Sequence, residues 1–269
     1  QIIESELGWP ATRVRYRAGD PAHQLIGNST GGSRTLYGAG SAVKAMCAAL
    51  VAKLKPHAAR KLGLAEDAIA FENAAFHIVT KNSELAGPLH VESLIDEMMA
   101  AGLASELEVI GEATSGSTFP NGCHCAEVEI DPDTGVTQLL NYIAVDDLGK
   151  VISPQLVQGQ VHGGVVQGWG QAFCEQVVYD EQGQLLTGSL MDYAMPRLGH
   201  MPNIRNETIE VATDLNALGS KGVGESGCTG SLPAISNAMM DALRPFGVQA
   251  MDMPFTPAKV WAAINPEGP

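Results

Sequence analysis

A hairpin pattern in the middle of the chain constrains the fold more than any other feature. Apolar and acidic residues alternate over Cys123–Ile130, and Asp-Pro-Asp-Thr-Gly follows at 131–135. Pro and Gly stand where a tight turn requires them, and Val136–Val145 is apolar enough to return as a second strand. This pattern predicts two antiparallel strands joined by a short turn.

Helical and strand patterns alternate along the rest of the chain, which indicates a mixture of α and β structure. Further strands are predicted at Val14–Arg17, Ala68–Phe71, Phe76–Val79, Leu107–Ile110 and Thr208–Ala212. Helices are predicted at Ser41–Leu54, Val91–Leu103, Pro154–Glu175, Leu232–Phe246 and Thr256–Ile264. We expect Pro56 to kink or end the first of these helices, because proline removes a helical hydrogen bond.

The predicted helix Pro154–Glu175 is unusually rich in glycine. Ser153 and Pro154 suit its start, but five glycines follow: Gly159, Gly163, Gly164, Gly168 and Gly170. Each glycine costs a helix roughly 1 kcal/mol relative to alanine. Very close packing, or a ligand against the backbone, would offset that cost.

A second glycine-rich run, Gly219–Gly227, holds one carboxylate, Glu225, just before an apolar helical pattern. Glycine lets the backbone come close to a ligand. The start of the following helix would direct free N–H groups toward the same place, which suits phosphate oxygens. The arrangement predicts proton transfer by Glu225 beside a phosphate-bearing cofactor.

Composition limits the classes of partner and compartment. The net charge of −14 argues against nucleic acid and against an anionic membrane surface. The 45% apolar content supports a substantial core, and we expect no stretch that spans a membrane. Five cysteines without disulfide-like spacing, and no secretory signal, favour the cytoplasm. Because Gln1 is not an initiator Met, we interpret the chain as part of a longer protein; a trimmed terminus is the alternative.

Four sequence blocks in order carry a resemblance to a known family. The chain is similar to the C-terminal part of the molybdopterin-binding large subunit of the xanthine dehydrogenase and aldehyde oxidase family. Within that family, the bacterial branch that includes the carbon monoxide dehydrogenase type is the most similar. The blocks are Thr30–Thr35; Cys125–Asp131 with Val145–Pro154; Gly159–Gln171; and Gly219–Gly227 with Pro233-Ala234, Asn237-Ala238 and Pro254–Pro257.

The resemblance implies roles for particular residues. Glu225 matches the family's general base, which serves the insertion of a water-derived oxygen into a C–H bond of an aldehyde or N-heterocycle. Other positions match contacts to the pterin, its phosphate or dinucleotide tail, and the molybdenum end: Gly31, Gly32, Ser33, Arg34, Thr35, Gln167, Lys221, Gly222, Val223 and Gly224. A dithiolene holds molybdenum in the family, so no protein metal ligand is expected.

The resemblance also implies an α+β fold of two lobes, with mixed or antiparallel sheets and helices packed on one face. We place the boundary between residues 115 and 116, with the general base in 116–269. Implied partners are the N-terminal part of the same large subunit, iron–sulfur and FAD subunits or domains, and a small-molecule substrate. The implied cofactor is molybdenum-molybdopterin, as the cytosine dinucleotide in the bacterial branch. We expect this chain alone to be inactive and without cofactor.

Simpler interpretations stay open for several residues. Glu225 would also complement a helix dipole, Gly31–Thr35 would serve as an ordinary turn before a helix, and Gln167 would be a surface amide. The P-loop ending Gly-Lys-Ser/Thr is absent. For His162 we favour a packed or hydrogen-bonded histidine over a cofactor contact.

Cys123-His124-Cys125 invites a zinc interpretation. Alternate residues of a strand share a face, so His124 points away from both cysteines, and no second ligand pair follows at suitable spacing. We therefore expect the cysteines to pack in the core. For the whole chain, a non-catalytic module for cofactor binding or subunit docking is the alternative function, and an exposed apolar face would allow a homodimer.

Overall fold

A computed structural model of the chain describes residues 1–23, 27, 29–79 and 87–266. The chain folds as two compact units. Unit 1 comprises residues 1–117 and 214–220, and unit 2 comprises residues 118–213 and 221–269. Each unit has its own small sheet and its own hydrophobic core, which confirms the predicted α+β class. The boundary expected between residues 115 and 116 stays a prediction.

The described residues of unit 1 include three α-helices and an antiparallel sheet. The helices are α1 (Ile2–Leu7), α2 (Thr35–Leu62) and α3 (Val91–Ala100). The strands are β1 (Ile69–Glu72), β2 (Ala75–Ile78) and β3 (Leu89–His90), in the order β1-β2-β3. The strands predicted at Ala68–Phe71 and Phe76–Val79 are confirmed as an antiparallel pair, with Ile69 opposite Ile78. Leu54, Ala58 and Phe76 lie in the core that the sheet and α2 share.

Helix α2 differs from prediction in two ways. It continues through Pro56 to Leu62, so proline neither ends nor interrupts it. An interior proline costs a helix about 3 kcal/mol; burial of Leu54, Ala58 and Ala59 around it offsets that cost. By length and apolar composition α2 could also cross a membrane, so the expectation that no stretch is long or apolar enough is wrong. The same helix supplies core residues of unit 1, and the absence of a membrane partner stays a prediction.

Unit 2 is built on a mixed sheet, β4 (Asn121–Ile130), β5 (Thr137–Asp147) and β6 (Ile204–Ile209), in that order. The predicted hairpin is confirmed, since β4 and β5 pair antiparallel around the 131–135 turn. Strand β6 pairs parallel to β5. The crossover between them contains α4 (Pro154–Phe173), and α5 (Ser226–Leu243) and α6 (Pro257–Ile264) follow.

Helices α4 and α5 pack through small residues. A Cβ atom added to Gly164 would lie 2.7 Å from the Cys228 nitrogen, and one added to Gly168 would lie 1.8 Å from Ser231 Oγ. A Cβ on Gly227 would lie 2.4 Å from the Val161 oxygen. Close packing is therefore the compensation for these α4 glycines. Gly159 and Gly163 have no such neighbour within 4 Å.

Other predicted elements are shifted or wrong. Residues 14–17 and 108–110 form no strand, because no neighbouring strand offers them a partner. The strand expected at Thr208–Ala212 is Ile204–Ile209, since its register is set by β5 and not by its own apolar pattern. Short 3-10 helices complete the described structure: Ala11–Arg13, Pro21–His23, Glu66–Ala68, Ala104–Leu107, Leu198–His200 and Arg244–Phe246.

Candidate cofactor and proton-transfer site

Glu225 is the N-cap residue of α5 in unit 2. Its side chain makes no capping hydrogen bond, while its backbone oxygen accepts from the Thr229 N–H at 2.9 Å. The residue is exposed in this chain. A carboxylate at a helix start lies in the positive end of the helix dipole and is open to a ligand or a covering domain.

The segment before Glu225, Lys221–Gly224, is held at its first two residues. The Lys221 N–H donates to the Leu148 oxygen at 2.8 Å, and the Gly222 N–H donates to Thr118 Oγ1 at 3.2 Å. Within the described residues the N–H groups of Val223 and Gly224 donate to no protein acceptor. Two free donors therefore directly precede the exposed carboxylate.

Lys221 does not extend its ammonium group into solvent. Its Nζ donates to Asp147 Oδ2 at 2.5 Å, with side-chain exposures of 12% and 10% for the two residues. The N–H groups of Gly149 and Val211 donate to Asp147 Oδ1 at 3.0 and 3.1 Å. Burial raises the pKa of Asp147, but these hydrogen bonds and the Lys221 charge outweigh it, so its pKa lies below the ordinary value. Lys221 thus offers a ligand its backbone and not its charge.

Ser226, the first residue of α5, has a buried hydroxyl oxygen without a partner among the described residues. A buried hydroxyl that makes no hydrogen bond costs about 1–3 kcal/mol. Such an atom, next to Glu225 and to two unused backbone N–H groups, fits a polar ligand that approaches the start of α5.

Gln167 lies on α4, which packs against α5 in the same unit, and its side chain is exposed. Exposure is compatible both with a cofactor contact and with the surface amide that we kept as the alternative. The nearby His162 accepts or donates one hydrogen bond, between its Nε2 and Asn206 Oδ1 at 3.0 Å. The prediction of a hydrogen-bonded His162 is confirmed.

The second predicted set, Gly31–Thr35, lies in unit 1. Gly32 and Ser33 have φ of 60° and 58°, and the turn that they form leads into the 28-residue helix α2. The first turn of α2 has no acidic residue and no side-chain cap, so its N-terminal N–H groups are open. Arg34 is turned back to the chain, because its Nε donates to the Ser29 oxygen at 2.7 Å.

Both sets fit the group that the sequence implies. Left-handed turns and uncapped helix starts present backbone N–H groups, the usual ligands of phosphate oxygens. In unit 2 the unused donors stand beside a carboxylate, as a reacting centre with a proton to release would need. No group of three or more His, Cys, Asp or Glu side chains among the described residues could hold a metal ion.

The tripeptide Cys123-His124-Cys125 corrects one prediction. Both cysteines are exposed and not in the core. His124 lies on the inner face, where Nδ1 bonds the Tyr142 hydroxyl at 2.7 Å and Nε2 contacts Asp146 at 3.2 Å. The alternation that turns Ala126 and Val128 inward also turns His124 inward, so this signal was present in the sequence.

Comparison with known proteins gives the class of the chain. The molybdopterin cofactor-binding domain family matches residues 1–202. The chain belongs to this family.

The relatives are large subunits of oxidoreductases. The chain is 32% identical to the carbon monoxide dehydrogenase large chain of Hydrogenophaga pseudoflava, over 98% of this chain and 33% of that protein. It is 34% identical to the nicotine 6-hydroxylase large subunit of Paenarthrobacter nicotinovorans, over 100% of this chain and 34% of that protein. Quinoline 2-oxidoreductase from Pseudomonas putida 86 has the same fold, with a TM-score of 0.87, 30% identity, and coverage of 98% and 34%. The chain therefore spans about a third of the length of the relatives that it matches.

Proposed function

We propose that the chain is the C-terminal cofactor-binding part of a molybdenum hydroxylase and carries its general base, Glu225. The substrate class would be aldehydes or N-heterocycles, with water as the oxygen source. Support comes from one observation above all. Glu225 stands exposed at the start of α5, directly after unused N–H groups and directly before an unsatisfied buried hydroxyl.

When bound, the molybdenum-molybdopterin group supplies the redox centre that takes up two electrons from the substrate. The residues of this chain would supply the proton transfer and the contacts to the cofactor. Glu225 would accept, on a carboxylate oxygen, the proton that water gives up as its oxygen joins the substrate carbon. Val223 and Gly224 would donate their N–H groups to the cofactor, and so would the turn Gly31–Thr35. Gln167 would orient the group from α4.

The exposure of Glu225 agrees with a chain that spans a third of its relatives' length. The remainder of the large subunit would cover the carboxylate, exclude water from it and add the residues that select the substrate. Iron–sulfur and FAD subunits or domains would carry electrons away. The cytosine dinucleotide form of the pterin, and a cytoplasmic location, belong to the same proposal.

Replacing Glu225 tests the assignment. Glu225→Gln keeps the size of the side chain but cannot accept the proton, so turnover in the complete enzyme should fall about 10²–10⁴-fold. Substrate-dependent dye reduction would measure it. Glu129→Gln, a neutralisation on the exposed face of β4, is the matched control and should keep normal turnover. Molybdenum and pterin contents should match in all three proteins. Near-normal turnover of Glu225→Gln would rule out its role as base.

A non-catalytic docking module is the second candidate, and the exposed apolar side chains of unit 2 favour it. Leu190, Met191 and Leu198 are 77%, 95% and 93% exposed, more than a free surface usually shows in one segment. Mixing the chain with the remainder of its large subunit separates the two functions. Restored dye reduction supports the hydroxylase, whereas association without any activity supports the docking module.

The isolated chain should bind no cofactor, because it holds only part of the predicted contacts. Release of the pterin by denaturation, followed by fluorescence of its oxidised form and metal analysis, measures this. Stoichiometric molybdenum on the isolated chain would contradict the expectation.

A further inference from the structure

Two consecutive aspartates, Asp146 and Asp147, end β5 in unit 2. Neighbouring side chains of a strand leave on opposite faces. Both carboxylates are nevertheless buried, with residue exposures of 5% and 8%. Burial of a carboxylate is costly unless specific partners compensate it. Each of the two carboxylates therefore has a partner that compensates the cost of its burial.

Asp147 holds the start of the segment that carries Glu225. Its contact with Lys221 Nζ is buried, and the Lys221 N–H is also bonded to the Leu148 oxygen, one residue beyond Asp147. Lys221 is thus fixed to the end of β5 by side chain and backbone together. From there only Gly222, Val223 and Gly224 lead to Glu225.

Asp146 acts on the other side of Glu225, through His124. The imidazole lies between the Asp146 carboxylate and the Tyr142 hydroxyl, and its side chain is only 3% exposed. Both ring nitrogens are engaged, so the ring cannot turn without losing a hydrogen bond.

The fixed His124 ring lies directly under α5. A Cβ atom added to Gly230, in the second turn of α5, would lie 2.3 Å from His124 Nδ1 and 2.4 Å from its Cε1. Only glycine allows the helix backbone this near to the ring. The position of the first turns of α5 therefore depends on where the imidazole is held.

We infer that Asp146 and Asp147 are positioning residues for Glu225: Asp147 fixes the approach to it through Lys221, and Asp146 fixes the helix after it through His124. The inference rests on the proposed function of Glu225 as the base. The backbone on either side of Glu225 sets the position from which its side chain extends. Misplacement of a catalytic group by about 1 Å can cost about 10²-fold in rate.

Three variants of the complete enzyme, with its full large subunit and partner subunits, test the inference. Asp147→Asn removes the charge that holds Lys221. His124→Phe keeps a ring under Gly230 but removes both of its hydrogen bonds. Asp131→Asn is the matched control, because Asp131 is also a hydrogen-bonded aspartate with a lowered pKa, but lies in the β4–β5 turn.

Hydrogen exchange measured by mass spectrometry is the readout that does not depend on turnover. Exchange over residues 221–230 should become about tenfold faster in Asp147→Asn and His124→Phe, while α6 in the same unit keeps its wild-type rate. In kinetics, kcat should fall about 10–100-fold while KM stays within about twofold, since the loss is in placement of the base and not in substrate binding. Asp131→Asn should change neither.

Unchanged exchange over 221–230 would overturn the inference, and so would equal acceleration over α6, which indicates general destabilisation. Kinetics like those of Asp131→Asn would overturn it too. If His124→Phe does not fold, Tyr142→Phe is the substitute variant, because it removes one of the two hydrogen bonds of His124. It should accelerate exchange over residues 221–230 by a smaller factor. Unchanged exchange in Tyr142→Phe would contradict the inference that Asp146 acts through His124. Normal turnover of Glu225→Gln would refute the role of Glu225 as the base. The exchange data would still decide whether Asp147 and His124 hold residues 221–230 in place.

Discussion

The two segments assigned to the cofactor, Gly31–Thr35 in unit 1 and Lys221–Gly227 in unit 2, are alike in composition and different in construction. Around Gly31 and Gly32, an added Cβ atom would meet at most Arg34 Nη2 at 4.0 Å. At Gly227, by contrast, it would lie 2.4 Å from the Val161 oxygen. The first segment has open space around its glycines, whereas Gly227 in the second brings two helices close together.

The two segments are also held by different forces. Exposed hydrogen bonds shape the unit 1 turn, among them Thr30 Oγ1 to Thr35 Oγ1 at 2.5 Å and Arg34 Nε to the Ser29 oxygen at 2.7 Å. A buried ion pair, Lys221 with Asp147, holds the unit 2 segment. Glycine content alone therefore does not distinguish a loop that binds a ligand from a contact where two helices pack closely. The space around each glycine separates them, and substitution can measure that space.

Gly227→Ala should have the largest effect on stability. The added methyl would meet backbone atoms of α4, which cannot rotate away, so α4 and α5 must move apart. Overpacking of this kind costs about 1–3 kcal/mol, and a backbone clash belongs at the upper end. Urea unfolding followed by circular dichroism would measure it. A loss of unfolding free energy below about 0.5 kcal/mol would mean that α4 and α5 are not closely packed at Gly227. The contrast with the glycines of unit 1 would then disappear.

Asp147→Asn should have the next largest effect and lower the unfolding free energy by about 1.5 kcal/mol near neutral pH. This is in the range for hydrogen bonds to a charged group. The pKa of Asp147 is lower in the folded chain than its ordinary value. Its charge therefore stabilises the fold above its unfolded pKa of about 3.9, and this stabilisation is lost as pH falls through the lower folded pKa.

Unfolding free energies of the wild type and Asp147→Asn, measured from neutral pH downward, should accordingly converge in acid. A difference that stays constant through the acid range would show that the Asp147 charge does not hold the segment.

Gly163→Ala should act in the opposite direction. Gly163 lies inside α4, but no atom lies within 4 Å of an added Cβ. Alanine should then stabilise the helix by up to about 1 kcal/mol. The same unfolding assay compares Gly163→Ala with Gly227→Ala. Gly163 has open space around it, whereas Gly227 lies where α4 and α5 pack closely. Destabilisation by Gly163→Ala would mean that the helix backbone has a neighbour beyond the described residues.

Prediction from sequence succeeded where the signal is local. The β4–β5 hairpin needed only alternation and a Pro–Gly turn. The helix predicted at Thr256–Ile264 is found as α6, where Thr256 Oγ1 accepts from the Lys259 N–H at 3.4 Å. Strand β6 was misplaced because its bounds come from parallel pairing with β5, a partner distant in sequence.

The helix end that was one of the two outcomes expected at Pro56 is absent for a different reason, since the outcome there depends on what surrounds the residue. Pro56 stays in α2 because its neighbours fill the core of unit 1. Glu225 is exposed among the residues that the structure describes. The roles of Glu225, Gln167 and the two loops stay predictions, since they concern a group that binds only after folding.

Gly31→Ala should have the smallest effect on stability and a clear effect on the cofactor. Gly31 is not among the residues with positive φ, and an added methyl would have space, so the unfolding free energy should change by less than about 0.5 kcal/mol. The methyl would nevertheless occupy the surface that an approaching phosphate needs. The complete enzyme with Gly31→Ala should therefore lose molybdenum and pterin during gel filtration, while Gly163→Ala retains both. Full retention by Gly31→Ala would show that Gly31–Thr35 is an ordinary turn before α2, and only the unit 2 segment would remain as a candidate for the cofactor.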